Sequence, residues 1–216
     1  MNFPNASKGI RNIFTAEILT LIATLATVVT LILTVVFAAG SKVNSDVAMG
    51  ASGIGVVVFS AGAAVLAIIA LILKIVGVVQ ASKDEPSFGL IIKLTIFAII
   101  ISVIAAFFGS NGIINNIATA ISNVISLICS ILVITGIANL AISLKNSDVV
   151  ESCGRLLKII LWIGILALLL RFFGMFIQSN AGATIVIILL VISMILTFVQ
   201  YILYISLLAK AKKMLQ

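Results

Sequence analysis

The residues of this sequence best suited to chemistry form a polar stripe within one long apolar stretch, residues 112–145. On a helix turning 100° per residue, the polar side chains of this stretch fall within an arc of about 140°. They are Asn115, Asn116, Thr119, Ser122, Asn123, Ser126, Cys129 and Ser130. Amide, hydroxyl and thiol groups can bind a neutral solute, water or the polar groups of other helices. Because such groups are costly when unpaired in lipid, the stripe is predicted to face either neighbouring helices or water.

Three ionisable residues lie inside other apolar stretches: Glu17, Lys74 and Arg171. Charge within a membrane is costly, so each is a candidate functional residue. Glu17 and Lys74 are predicted to lie in the same half of the membrane, where they could pair. The functional interpretation is a coupling or gating site, and the structural one is an ion pair or a lysine extending to the interface. The structural interpretation is favoured, because transport sites more typically lie near the midplane.

Enzyme chemistry has no support in the residue set. The chain contains no histidine, and it has no pair of membrane acids near a nucleophile. Neither a metal site nor a nucleophile activated by a general base can be assembled from what remains. We therefore expect a protein that is not an enzyme, with no catalytic residues, no metal and no cofactor.

The composition defines the elements that must position these residues. Of 216 residues, 63% are hydrophobic and only 9% are charged, whereas soluble domains carry about 25% charged residues. The sequence predicts an all-α integral membrane protein, a single membrane domain over 1–216 with six transmembrane helices. The predicted spans are approximately 13–39, 54–81, 90–109, 112–145, 156–177 and 184–209.

The distribution of basic residues predicts the orientation. The net charge is +7, and all Lys and Arg residues except Lys42 and Arg171 fall near one side of the predicted spans. By the positive-inside rule, both termini are cytoplasmic in a multi-pass protein of the cell membrane. The same cations would contact anionic lipid headgroups. This placement accounts for the basicity without nucleic acid as a partner.

The sequence also indicates an internal repeat. A Ser-x-Gly triplet precedes each predicted pair of helices. The three triplets are Ser7-Lys8-Gly9, Ser87-Phe88-Gly89 and Ser152-Cys153-Gly154. At the offset of the last two copies, Lys93 matches Lys158, and Phe107-Phe108-Gly109 matches Phe172-Phe173-Gly174. We predict three helical-hairpin repeats, about 7–82, 87–147 and 152–210, sharing one orientation.

Two functions fit these features. The first is a non-catalytic membrane component whose polar faces serve helix packing, self-association or attachment to a membrane-protein partner. The alternative is a channel or transporter for a small neutral or weakly polar solute, along a path lined by helices 1, 4 and 6. Contact of the helix 4 stripe with water is the feature that distinguishes them. Small-residue faces on helices 2, 3 and 5 are compatible with a homo-oligomer.

Overall fold

The fold is all-helical in the part of the chain that the structure, a computed structural model, describes: residues 3–40, 46–107, 112–174 and 180–216. This part contains no strands. The helices are α1 (Pro4–Gly40), α2 (Asp46–Ala81), α3 (Ser87–Phe107), α4 (Gly112–Ser143), α5 (Ser147–Gly174) and α6 (Asn180–Met214).

Five helices contain segments long and apolar enough to cross a membrane. These segments are Pro4–Ile32, Phe59–Ala81, Ser87–Ala105, Ala120–Ser143 and Val191–Met214. A membrane span needs about 20 predominantly apolar residues, so each is sufficient in length and composition. The chain therefore has the architecture of a multi-pass membrane protein. The predicted fifth span, 156–177, lies partly outside the described residues.

Several helices extend beyond the predicted spans because their ends have partners. The first span is predicted to begin at about residue 13, but α1 begins at Pro4, where proline's missing N–H costs nothing and its fixed φ suits the first turn. The fifth span is predicted to begin at about residue 156, but α5 begins at Ser147. There the Asn146 side chain accepts a hydrogen bond from the Val149 N–H at 3.1 Å, which caps the helix.

Consecutive helices pack as hairpins, and the hairpins form a ring. The most extensive contacts are α1 with α2, α3 with α4, and α5 with α6. Smaller contacts join α2 to α3, α4 to α5 and α6 to α1, and α4 also meets α6. The starts of the odd-numbered helices and the ends of the even-numbered helices gather at one end of the ring. We call this the packed end.

The hydrophobic core lies at the packed end. All six helices contribute to it, and its largest fully buried side chains include Ile10, Phe88, Ile134, Leu156 and Leu208. Further from this end most of the described apolar side chains are exposed, as in the second half of the α1 span. That distribution suits helices surrounded by lipid, because lipid supplies the apolar contacts that a soluble protein finds only in its core.

The α1–α2 hairpin is held by small residues repeating every seven positions. A Cβ atom added to Gly9 would lie 2.4 Å from the Gly77 carbonyl oxygen, so the two backbones are in direct contact. Continuing this antiparallel register pairs small, buried residues along both helices. The pairs are Gly9 with Gly77, Ala16 with Ala70, and Ala23 with Ala63. Such spacing keeps one seam facing the partner and lets the helices approach closely.

Candidate functional site

The charged residues predicted on α1 and α2 form an ion pair between the two helices. The Lys74 Nζ lies 2.7 Å from the Glu17 Oε1. The Glu17 side chain is only 6% exposed, whereas that of Lys74 is 47% exposed. Pairing removes most of the cost of placing either charge among apolar helices. The pairing that the sequence suggested is thus present.

The geometry of this pair differs from that of a lysine extending towards an interface. From the Gly9–Gly77 contact, Glu17 lies eight residues further from the packed end and Lys74 only three, a difference of about 7–8 Å along the axes. The Lys74 side chain therefore extends away from the polar packed end to meet the carboxylate. This is also the direction in which α2 tilts its side chains, towards its own N-terminus.

A tyrosine of α6 completes the group. The Tyr201 hydroxyl donates a hydrogen bond to the Glu17 backbone carbonyl at 2.9 Å. Tyr204, one turn along, packs against the core. Glu17, Lys74 and Tyr201, which we call the ion-pair cluster, thus join α1, α2 and α6. No pattern in the sequence points to this tyrosine, because Tyr201 and Glu17 are 184 positions apart in the chain.

Part of the helix 4 stripe continues the buried face of α4. Four stripe residues share one face of α4, an arc of about 100°, with core residues nearer the packed end. The stripe residues are Ser122, Ser126, Cys129 and Ser130, and the core residues are Val133, Ile137 and Leu140. Ser126 is exposed, and the other three stripe residues are partly buried. Cys129 packs against the hydrophobic core of the packed end. The described part of the stripe therefore points towards other helices at its packed-end side.

The remaining predicted site residues belong to α4 and α5, but the structure does not describe their side chains. They are Asn115, Asn116, Thr119, Asn123 and Arg171.

Hydroxyl groups in the spans are largely satisfied within their own helices. On α1, the Thr20 and Thr24 hydroxyls each donate to the carbonyl four residues earlier at 2.9 Å. Ser130 on α4 and Thr197 on α6 bond in the same way, at 3.0 and 2.8 Å. Among the described residues, every buried side-chain nitrogen and oxygen has a partner. Such backbonding lets hydroxyls lie in apolar surroundings without a ligand.

A second polar network closes the packed end. The Asp84 carboxylate, just past α2, accepts hydrogen bonds from the backbone N–H groups of Asn5 and Ala6 at 2.9 and 2.8 Å, and from the Asn5 side chain at 2.9 Å. It thereby caps the N-terminus of α1. Burial alone would raise the pKa of Asp84, but these hydrogen bonds lower it below its ordinary value of 3.8.

The same turn ties α4 to the bundle. The Asn139 side chain donates to the Glu85 carboxylate at 3.0 Å, and the Ser87 hydroxyl donates to the same oxygen at 2.8 Å. The sequence showed this charged turn only as a break between helices. Its acids, Asp84 and Glu85, are instead hydrogen-bonded by uncharged donors from α1, α3 and α4.

No group of three or more His, Cys, Asp or Glu side chains in the described residues is arranged to hold a metal ion. The chemistry available in this part of the bundle is that of one buried ion pair, tyrosine and serine hydroxyls, and the Cys129 thiol. Comparison with models of protein families, with curated proteins and with solved structures finds no match.

Proposed function

We propose that this protein is a non-catalytic membrane component whose intramembrane polar groups hold its helices together for assembly, with a second copy or another membrane protein as partner. The observation that carries this proposal is the ion-pair cluster. The Glu17 carboxylate is engaged by Lys74, and its backbone carbonyl by Tyr201. A polar group already occupied by partners from neighbouring helices acts as a tertiary contact, which is a frequent use of polar side chains in membrane bundles.

The proposed architecture has six spans in three hairpin repeats, with the packed end and both termini in the cytoplasm of a multi-pass cell-membrane protein. The cations gathered at the packed end support this orientation, since cytoplasmic loops carry an excess of Lys and Arg. They would lie among anionic headgroups on that side.

Burial in the odd-numbered helices supports the repeat of the second and third hairpins. Each even-numbered helix buries residues spaced i, i+1 and i+4 at the packed end, but these residues are not equivalent at the predicted repeat offset. The triplets are Gly77, Val78 and Ala81 in α2, Gly136, Ile137 and Leu140 in α4, and Leu207, Leu208 and Ala211 in α6. In the odd-numbered helices, Phe88 and Ile91 of α3 match the buried Cys153 and Leu156 of α5 at the predicted offset. Lys8, at the corresponding position of the first copy, is exposed, so that copy packs differently.

A specific observation supports the alternative, a channel or transporter for a small neutral or weakly polar solute lined by α1, α4 and α6. On each of these helices the face that is buried at the packed end continues outward with exposed hydroxyl side chains. They are Thr20 and Thr24 on α1, Ser126 on α4 and Thr197 on α6. If water fills the space between these faces, the ion-pair cluster would stand at the inner limit of a hydrated path.

Thiol labelling distinguishes the two proposals. In a Cys153→Ser background, intact vesicles are treated with a membrane-impermeant thiol reagent, and modification of the native Cys129 is followed by mass spectrometry. Two matched variants are made with Cys129 also replaced: Ser126→Cys on the stripe, and Val124→Cys, which is 56% exposed on another face of α4. A lipid-facing thiol and a packed thiol both react slowly with a charged reagent, because the reactive thiolate is disfavoured outside water.

The assembly proposal predicts that Cys129 is protected until the protein is denatured, and that Ser126→Cys reacts no faster than Val124→Cys. Rapid modification of Cys129 and Ser126→Cys, with Val124→Cys unreactive, would overturn it in favour of an aqueous path. Solute-flux measurements would then follow.

A further inference from the structure

One face of α5 combines two cations with the only tryptophan of the chain. Arg155, Lys158 and Trp162 fall within an arc of about 60° on the helix. All three are exposed, Trp162 by 64%. We call these three residues the α5 cationic face. The buried residues of α5, such as Cys153 and Leu156, lie outside this arc, so the face points away from the core.

The charge on this face is incompletely compensated. Arg155 approaches Glu151, one turn earlier, at 3.7 Å, with both side chains more than half exposed. Lys158 forms no ion pair with any described residue. One positive charge therefore remains at the level of Lys158, one turn from a large exposed aromatic ring.

The direction of α5 places Lys158 nearer the headgroups and Trp162 nearer the acyl chains if the packed end lies at a membrane surface. Side chains on α5 tilt towards its N-terminus, which lies at the packed end. The Lys158 ammonium thus extends back towards the polar headgroups, whereas Trp162 lies about 6 Å deeper along the axis. Tryptophan is enriched at the level where headgroups meet acyl chains, and lysine reaches the phosphate level from just inside it.

We propose that the α5 cationic face binds one anionic phospholipid, with its phosphate at Lys158 and Arg155 and its glycerol and upper acyl chain against Trp162. This inference rests on the proposed membrane placement of the packed end, and it adds a defined lipid site to the general attraction of a basic surface. A zwitterionic lipid fits less well, because its own cationic group would be repelled by the uncompensated lysine.

The equivalent face of α3 is a weaker version of the same surface. Lys93 and Phe97 occupy the positions of Lys158 and Trp162, and both are exposed without an ion pair to a described residue. Leu90 stands where α5 has Arg155. The described parts of α3 and α5 do not contact each other, so a variant on α3 leaves the surroundings of Trp162 unchanged.

The single tryptophan makes the proposal measurable in the full-length protein. The protein is reconstituted in phosphatidylcholine vesicles, and Trp162 fluorescence is followed as unlabelled lipid is replaced by brominated phosphatidylglycerol or, in parallel, by brominated phosphatidylcholine. A brominated acyl chain quenches the fluorescence of Trp162 only when the chain lies next to the indole ring. From the attraction of one cation for an anionic surface, we expect phosphatidylglycerol to occupy the site about fivefold more strongly than phosphatidylcholine.

Lys158→Gln should bring the two lipids to nearly equal quenching, and Lys93→Gln should preserve the difference. Equal quenching by both lipids in the unsubstituted protein would overturn the proposal, as would a preference that Lys158→Gln leaves intact. An equal loss in Lys93→Gln would show a general charge effect and would also contradict a local site. If neither lipid quenches the fluorescence, Trp162 does not contact acyl chains, and the proposed membrane placement would also be wrong.

Discussion

Replacing Lys74 by methionine is expected to destabilise the protein more than replacing Glu17 by glutamine. Lys74→Met leaves the Glu17 carboxylate, only 6% exposed, without its counter-charge at 2.7 Å. An uncompensated buried charge costs about 3–5 kcal/mol. Glu17→Gln leaves an ammonium whose side chain is 47% exposed, and that side chain can turn towards the packed end, so we expect a cost of about 1–2 kcal/mol.

The double variant should be more stable than Lys74→Met. With both charges removed, no ion is left unpaired, and a buried ion pair replaced by neutral groups often costs little. We expect the double variant to lie within about 1 kcal/mol of the unsubstituted protein. The two single losses together then exceed the loss of the double variant by about 3 kcal/mol or more, which is the coupling free energy of the pair.

The free energy of unfolding is measured for the unsubstituted protein, the two single variants and the double variant. Unfolding is followed by far-ultraviolet circular dichroism at pH 7 in mixed micelles of dodecyl maltoside and sodium dodecyl sulfate. Tyr201→Phe serves as a control, because it removes only the hydrogen bond to the Glu17 carbonyl and should cost about 1 kcal/mol. A coupling free energy below about 0.5 kcal/mol, or a Lys74→Met variant no less stable than Glu17→Gln, would refute the assignment of the pair as a buried tertiary contact.

Two further predictions concern the contact between α1 and α2 and the cap of α1. Gly77→Ala should lower the midpoint of unfolding, because its Cβ would lie 2.7 Å from the Gly9 carbonyl oxygen. Gly62→Ala on the same helix meets nothing within 4 Å and should stabilise the protein by up to about 1 kcal/mol. Similar effects of the two variants would contradict the close contact of α1 with α2. Because hydrogen bonding lowers the pKa of Asp84 below 3.8, its contribution to stability is present above that value and lost as pH falls through the lower pKa of the folded state. Thermal unfolding in detergent should therefore show a steeper loss of stability below about pH 4 for the unsubstituted protein than for Asp84→Asn, and identical pH dependence would argue against the cap.

Much of the fold was predictable from the sequence because it depends on local properties. A helix satisfies its own backbone hydrogen bonds, so a long apolar run in a chain with few charges must be helical if it is to cross a membrane. The prediction of an all-α architecture is confirmed for the described residues, and five of the helices are long and apolar enough to cross a membrane. Helices α1 and α5 begin earlier than the predicted spans, at Pro4 and Ser147. The Asp84 cap of α1 comes from a residue distant in the chain, whereas Asn146 caps α5 locally, so that helix start could have been predicted.

The candidate site was only partly predictable. Glu17 and Lys74 stood out because charge is rare in apolar segments, and that signal is local. Tyr201 gave no such signal, since its hydrogen bond joins residues 184 positions apart in the chain. The cap by Asp84 was missed for the same reason, as it lies 78–79 residues from the N–H groups that it accepts.

The sequence by itself determined which residues are costly in a membrane and therefore need a partner. It left open whether Lys74 pairs with Glu17 or extends to the interface, and the tertiary structure shows the pair. The deciding contact is the meeting of Gly9 and Gly77, where the absence of side chains lets two backbones touch. That contact sets the register of α1 against α2, and this register brings Lys74 within reach of the Glu17 carboxylate.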